Sequence, residues 1–224
     1  MSREGIIINS YFKDKTICVV GAAESIIGTK QEEYINSFDV VVRINYPYPI
    51  NEELKKDIGD KTDIIYHHLG VQYIDGILRS RLLSEEIDVL QKHNVKWVIC
   101  PYPIDFVVTN KPTKERLEYF NKENKDRILY DCVDENIYNK MTSEIKGTPN
   151  TGTIAIVDVI NSDSKEVYAT GFDFFRSKWI PDHKSWSNPT YWHDMESQIN
   201  YLKTIYKNNS KFHVDKVLKN ILEE

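Results

Sequence analysis

Four short stretches of the chain carry residue types that can do chemistry. In "ICVVGAAESIIGTK" an apolar run meets Gly21 and then Ser25. A glycine at the end of a strand lets the chain turn tightly and bring backbone N–H groups to a phosphate, and Ser25 can add a hydroxyl. The stretch holds neither GxGxxG nor GxxxxGK[ST], and no acid stands where an NAD ribose would need one. In "FDVVVRIN" the run ends at Asn45, whose amide both donates and accepts and so suits a phosphate or a base edge. Arg43, two residues earlier, lies on the same face as Asn45. An arginine inside a buried strand needs a partner, either an acid such as Asp39 or Glu32 or an anionic ligand. In "GTPNTGTIAIVDVINS" the residues Thr151, Gly152 and Thr153 open an apolar helix, and such a helix start seats a carboxylate or phosphate. Asn150 or Thr151 can equally cap that helix, and the two roles are compatible. In "YWHDMES" His193 follows Tyr191 and Trp192 at a helix start. An imidazole titrates near neutral pH and suits general-base work, with Asp194 or Glu196 able to orient its other nitrogen. A helix-end hydrogen bonder is the plainer role for it.

These residues need elements to hold them. "KTICVVGAA", "FDVVVRIN", "DIIYHHL", "KWVICPYP", "RILYDCV", "SKEVYATGFDFF" and "KFHVDK" read as strands, the first two as continuous apolar runs of the kind covered on both faces. Between them, 24–36 reads as helix or loop broken at Gly28, 51–57 as a short helix, and 113–125 as another. "IDGILRSRLLSEEIDVLQKHN", residues 74–94, spaces its apolar residues at three and four, which predicts a helix. A polar stretch runs to Lys146. The segment 185–209 reads as a loop followed by an amphipathic helix, and "VLKNILEE" closes the sequence. Strands alternating with helices predict an α/β fold, a single Rossmann-like domain over residues 1–224 with a mainly parallel sheet flanked by helices. Ligands of such sheets sit beyond the carboxyl ends of the strands. That rule gathers Gly21 to Ser25, Asn45, His67, His68, Pro101 to Pro103 and Gly171 to Phe174 at one rim. His67 and His68 are expected to face opposite sides, which argues against a metal pair. Tyr102, between two prolines, lines the pocket or simply makes a rigid turn.

Composition narrows the class. The chain is 41% apolar and 28% charged, with a formal net charge of -5, so a nucleic-acid partner is not expected. Fourteen tyrosines and four tryptophans supply rings with polar handles for a sugar or nucleotide pocket, or for the core. Cys18, Cys100 and Cys132 form no CxxC and no metal spacing, and each adjoins an apolar run, where a reduced buried thiol is the default. A sparse, odd count fits a reducing compartment. No apolar run reaches a membrane span, and the expectation is a cytoplasmic chain with no integral membrane segment.

The ordered set of stretches resembles the sialyltransferases of glycosyltransferase family 29. "CVVGAAESIIGTKQEEYINSFDVVVRIN" is similar to the family's long donor-binding motif, "GDKTDIIYHH" to its G-x-[KR]-T-T stretch, and "TPNTGTIAIVDVI" to its short P-S-T-G motif. "VYATGFDFF" resembles the strand that follows, and "DHKSWSNPTYWHDMES" the last two motifs, one with a His upstream of aromatics and one with a His followed by a Glu. The resemblance covers residues 16–206. It departs at Ala22, where the family has Asn, at Asn150, where it has Ser, in the short His193-to-Glu196 spacing, and in lacking the cysteines of the family's disulfide.

The resemblance implies a GT-A-variant fold of the sialyltransferase type. It also implies an inverting, metal-independent transfer of sialic acid, or a related keto-sugar acid, from a CMP donor to a glycan hydroxyl. The CMP-sugar would be a donor substrate, with no further cofactor. His193 would be the base, and His183 would donate to the departing phosphate. The donor would meet Gly21, Ala22, Ser25, Asn45, Asn150, Thr151, Gly152, Thr153, Gly171 and Phe172. Two alternatives remain: a transferase of another nucleotide sugar, and a non-catalytic nucleotide- or glycan-binding protein on the same fold.

Overall fold

The computed structural model describes residues 8–45, 50–104, 113–178, 180 and 193–224. Its central feature is a seven-stranded sheet built from β1 (Thr16–Val20), β2 (Val40–Ile44), β3 (Ile64–Tyr66), β6 (Trp97–Cys100), β7 (Leu129–Cys132), β8 (Glu166–Thr170) and β9 (Phe212–Val214). The strands lie in the order β7-β6-β3-β2-β1-β8-β9, and every neighbouring pair is parallel. All of β2 and all but the first residue of β1 are buried, as unbroken apolar runs require when both faces of a sheet are covered. The α/β fold with a parallel sheet flanked by helices is therefore as the sequence predicts.

The pleat divides the strand residues between two cores. Ile17, Val19, Val40, Val42 and Ile44 face α7 (Thr151–Asn161), with α1 (Ile8–Phe12), α6 (Glu135–Glu144), α8 (Met195–Asn208) and α9 (Lys216–Glu223) on the same side. Cys18, Val20 and Val41 face α2 (Glu32–Asn36) and α3 (Glu52–Ile58), while Ile65, Val98 and Cys100 face α4 (Ser84–Lys92) and α5 (Thr113–Asn124). Helix α7 is buried from Thr151 through Ile160, which explains why it is apolar all round rather than amphipathic. No helix among the described residues is long and apolar enough to cross a membrane.

Two segments depart from the sequence reading. Residues 74–83 are not helical: β4 (Val71–Ile74) and β5 (Ile77–Ser80) form a separate antiparallel hairpin, and the helix begins only at Ser84. The polar stretch before Lys146 contains α6, whose Asp134 side chain accepts from the N–H groups of Asn136 and Ile137. The arginine of β2 also finds partners the sequence did not suggest. Arg43 is fully buried and donates to the Ile58, Gly59 and Lys61 carbonyls and to Thr62 Oγ1, which ties the turn after α3 to the sheet. Asp39 instead accepts from the Thr16 N–H and hydroxyl.

The chain runs outward from β1 through β2, β3 and β6 to β7, then returns to place β8 on the other side of β1. Strand order thus reverses between β1 and β8. A parallel α/β sheet opens its ligand crevice at such a reversal, beyond the carboxyl ends of the two strands.

Candidate functional site at the sheet reversal

Gly21 leaves β1 and Gly171 leaves β8 at that reversal, and the two backbones touch. A Cβ on Gly21 would lie 2.9 Å from Phe172 Cδ1 and closer still to the Gly171 carbonyl oxygen; one on Gly171 would lie 2.9 Å from the Gly21 oxygen. Gly171 also has a φ of +74°, which favours glycine. Gly152, in the first turn of α7, completes the cluster, because a Cβ there would lie 2.7 Å from Phe172 Cε1. Three sequence-distant glycines and Phe172 thus meet at one point.

Four N–H groups of the first turn bond inside the protein. Gly21 donates to Thr170, Ala23 to Gly171 and Glu24 to Lys178, all through carbonyls, and the Ser25 N–H donates to Ser177 Oγ. Ala22 is buried, and its carbonyl accepts from Ile180. The start of α7 is built differently. Asn150 Oδ1 accepts from the Thr153 N–H at 2.8 Å, so Asn150 is the cap. The hydroxyl of Tyr102, after β6, lies 3.4 Å from both the Pro149 carbonyl and Thr151 Oγ1.

His193 joins this helix start from the other side. It forms an isolated antiparallel bridge with Gly147, and its Nδ1 lies 2.6 Å from the Thr148 carbonyl oxygen. A carbonyl only accepts, so Nδ1 carries the hydrogen and the neutral ring keeps its lone pair on Nε2. Burial holds this imidazole below the usual histidine range, against the opposing effect of the Thr148 bond. Neither Asp194 nor Glu196 orients the ring through Nδ1. Asp194 caps α8 by accepting from the Ser197 N–H, and Glu196 is exposed. The fully buried Gln198 fastens the two segments, accepting from the Asn150 N–H at 2.9 Å and donating to the Asp194 carbonyl. The sequence reading missed Gln198 and the Thr148 carbonyl. Gln198 had a faint signal, as an amide on the apolar face of an amphipathic helix; the carbonyl had none.

The rim continues along β2 and β3. Asn45 has a φ of +47°, donates its N–H to the Tyr66 carbonyl and accepts from the His68 N–H at 3.4 Å. Leu69, Phe174 and Phe175 also have positive φ, so strained backbone collects beyond the carboxyl ends of β2, β3 and β8. His67 and His68 do not face apart. They lie past the end of β3, where alternation no longer applies, and their rings stand 4.7 Å centroid to centroid. Burial first, then Arg81, lowers His67 to about 4, and burial lowers His68 as well, so both are neutral at pH 7. His183, Tyr191 and Trp192 lie outside the described residues. Among the described residues no group of three or more His, Cys, Asp or Glu side chains is placed to hold a metal ion.

No protein-family model and no curated protein matches the sequence. Solved structures do match the fold. The sialyltransferase CstII from Campylobacter jejuni, in complex with cytidine-5'-monophosphate, superposes with a TM-score of 0.62 at 14% identity, covering 93% of this chain and 84% of that one. The monofunctional alpha-2,3-sialyltransferase Cst-I from Campylobacter jejuni gives 0.62 at 17% identity, covering 98% and 82%. A mammalian sialyltransferase in complex with Gal-beta-1-3GalNAc-ortho-nitrophenol gives 0.58 at 15% identity, covering 93% and 72%. The fold of this chain is sialyltransferase-like.

Proposed function

We propose that the chain is a glycosyltransferase that moves sialic acid, or a related keto-sugar acid, from a CMP donor to a glycan hydroxyl, with inversion and without a metal ion. One observation carries the reading. The sheet-reversal glycines, the α7 start and a histidine with Nε2 unprotonated converge in a fold shared with a sialyltransferase solved with cytidine monophosphate. In this reading the cytidine and ribose lie against Gly171 and Phe172, and the donor's anionic groups face Asn45 and the Asn150 to Thr153 helix start, with Gly21, Ala22 and Ser25 walling the crevice. Nε2 of His193 takes the acceptor hydroxyl proton as that oxygen bonds to the anomeric carbon. The bond from that carbon to the phosphate oxygen breaks through an oxocarbenium-like transition state, and its electron pair leaves with CMP. His183 donates to the departing phosphate.

The four bonded N–H groups of the first turn favour one alternative, a binding protein that retains the crevice without turnover. Titration calorimetry with CMP, CDP and UDP, followed by assay of CMP release from CMP-sialic acid with glycan acceptors, separates the two. CMP binding with acceptor-dependent release supports the transferase. Binding without release supports the alternative, and a preference for UDP points to a different nucleotide sugar.

A further inference from the structure

One cluster on the rim has no part in that chemistry. Cys100 ends β6 and Cys132 ends β7, and the two are register partners in the parallel ladder. In-register neighbours on parallel strands project from the same face, and strands about 4.8 Å apart bring Cα atoms within the roughly 4.4–6.8 Å that a disulfide spans. Both cysteines are free, Cys100 fully buried and Cys132 partly buried, and Cys100 Sγ donates to the Tyr102 carbonyl at 3.5 Å.

Against Cys100 lies Arg116, which has no exposed surface. Its Nη1 donates to the His68 carbonyl at 2.6 Å and to Cys100 Sγ at 3.4 Å; its Nη2 donates to the Tyr102 carbonyl and Thr113 Oγ1. Its Nε is buried without a hydrogen-bond partner. A buried guanidinium calls for an anion, and all four of these acceptors are neutral while Cys100 is a thiol. Cys100 is the one among them able to ionise. The two thiols share one ionisation, which Arg116 favours and burial opposes.

We propose that Cys100 and Cys132 form a reversible redox-modification site, closed to a cross-strand disulfide by a hydroperoxide and reopened by a small thiol. The ionised pair holds one proton between two sulfurs. When Cys100 holds it, the partly exposed Cys132 thiolate attacks the peroxide O–O bond and becomes a sulfenic acid, releasing hydroxide. Cys100 then displaces the sulfenic oxygen to form the S–S bond. The hydroxide collects the proton lost when the pair ionised. In sum two thiols give up two electrons and two protons, and hydrogen peroxide becomes two waters. A small thiol reverses the closure by exchange and leaves as its own disulfide. Closure takes the Cys100 sulfur from Arg116, whose remaining bonds anchor the chain beyond β3 and β6 at His68 and Tyr102. Oxidation therefore loosens this part of the rim, whichever nucleotide the crevice takes.

The full chain, reduced and freed of reductant, is treated with hydrogen peroxide, quenched with N-ethylmaleimide and digested for mass spectrometry. The expected product is a peptide pair joined through Cys100 and Cys132, formed about ten-fold faster than any oxidation of Cys18, erased by dithiothreitol and absent in Cys132→Ser. Recovery of both cysteines as maleimide adducts, at a dose that oxidises free cysteine in the same tube, overturns the site. So does Cys132 reaching the sulfinic acid unlinked. Hydrogen exchange of linked and reduced wild-type protein reads the coupling. Peptides over 66–70 should exchange roughly two-fold faster or more when linked; equal rates overturn the coupling to the rim. Both wild-type readings stand even where Cys132→Ser does not fold.

Discussion

His193 and Thr148 meet through a single 2.6 Å hydrogen bond that fixes which imidazole nitrogen carries the proton. The bond is made to a backbone carbonyl, so no side-chain substitution at Thr148 removes it. His193→Ala is expected to lower turnover by about 10²–10⁴ while CMP affinity stays within a few-fold. Calorimetry beside a CMP-release assay checks both, and loss of affinity along with turnover would assign His193 to the fold instead. Because burial lowers its proton affinity, the acid limb of kcat/KM should fall below the ordinary histidine range, near pH 6.5. A limb at or above that value counts against His193 as the base.

Gly21 faces Gly171 too closely for any side chain. Gly21→Ala should cost roughly 1–3 kcal/mol or more, because the obstacle is backbone on the neighbouring strand. Urea denaturation measures this, and Gly28→Ala is the control. Gly28 has space but a φ of +85°, so it pays a conformational cost without a clash.

Asp215 holds the corner that carries Gly171. Its Oδ2 accepts from Thr170 Oγ1 at 2.8 Å and from the Gly171 N–H at 2.9 Å, and its Oδ1 caps α9 through the Leu218 N–H. Asp215→Ala should cost on the order of 1–2 kcal/mol as a lost cap and weaken CMP binding by displacing Phe172. Asp215→Asn keeps a capping oxygen and should recover most of the stability. Equal CMP affinity in all three proteins would separate this corner from the nucleotide.

Asp158 and Tyr66 form a buried pair, with the phenol donating to the carboxylate at 2.5 Å. Burial raises Asp158 to about 6, partly offset by the Tyr66 bond. The folded value lies above the unfolded one, near 3.9, so between about pH 4 and 6 the native state binds more protons. This group's stabilising contribution is complete below pH 4 and is lost as pH rises through 6. His67 acts in the opposite direction. Its folded value is depressed to about 4, so its contribution is present above pH 6.5 and is lost as pH falls toward 4. Asp158→Asn removes the first slope and leaves the second. The variant should gain on the order of 2 kcal/mol relative to wild type between pH 4 and 7. Parallel stability curves for the two proteins would refute the shift.

Most of the sheet was legible because buried parallel strands leave continuous apolar runs, as at Val40 to Ile44. The hairpin was misread because Ile74, Ile77 and Leu78 imitate helical spacing. The decisive signal was Asp75-Gly76: both have positive φ, the pairing a tight two-residue hairpin turn requires. Helix α6 was hidden by its polar exposed face, although Asp134, Tyr138 and Met141 mark a cap and a buried stripe. At the rim, glycines and hydroxyls could be placed from strand ends. The crossing of His67 and His68 could not, since it depends on where β3 stops. The Thr148 carbonyl was equally invisible, because every residue carries one.

The placement of β8 beside β1 has a consequence for synthesis. Strand β1 is made before its neighbour β8, which lies about 150 positions later in the chain. Until Glu166–Thr170 leaves the ribosome, one flank of β1 offers bare N–H and C=O groups to any passing strand. A nascent chain stopped at Asn161 should therefore be held by chaperones and remain protease-sensitive, and protection of Thr16–Val20 should arrive only with β8. Pulse proteolysis of stalled chains of increasing length would time that event; early protection would show that β1 finds shelter elsewhere.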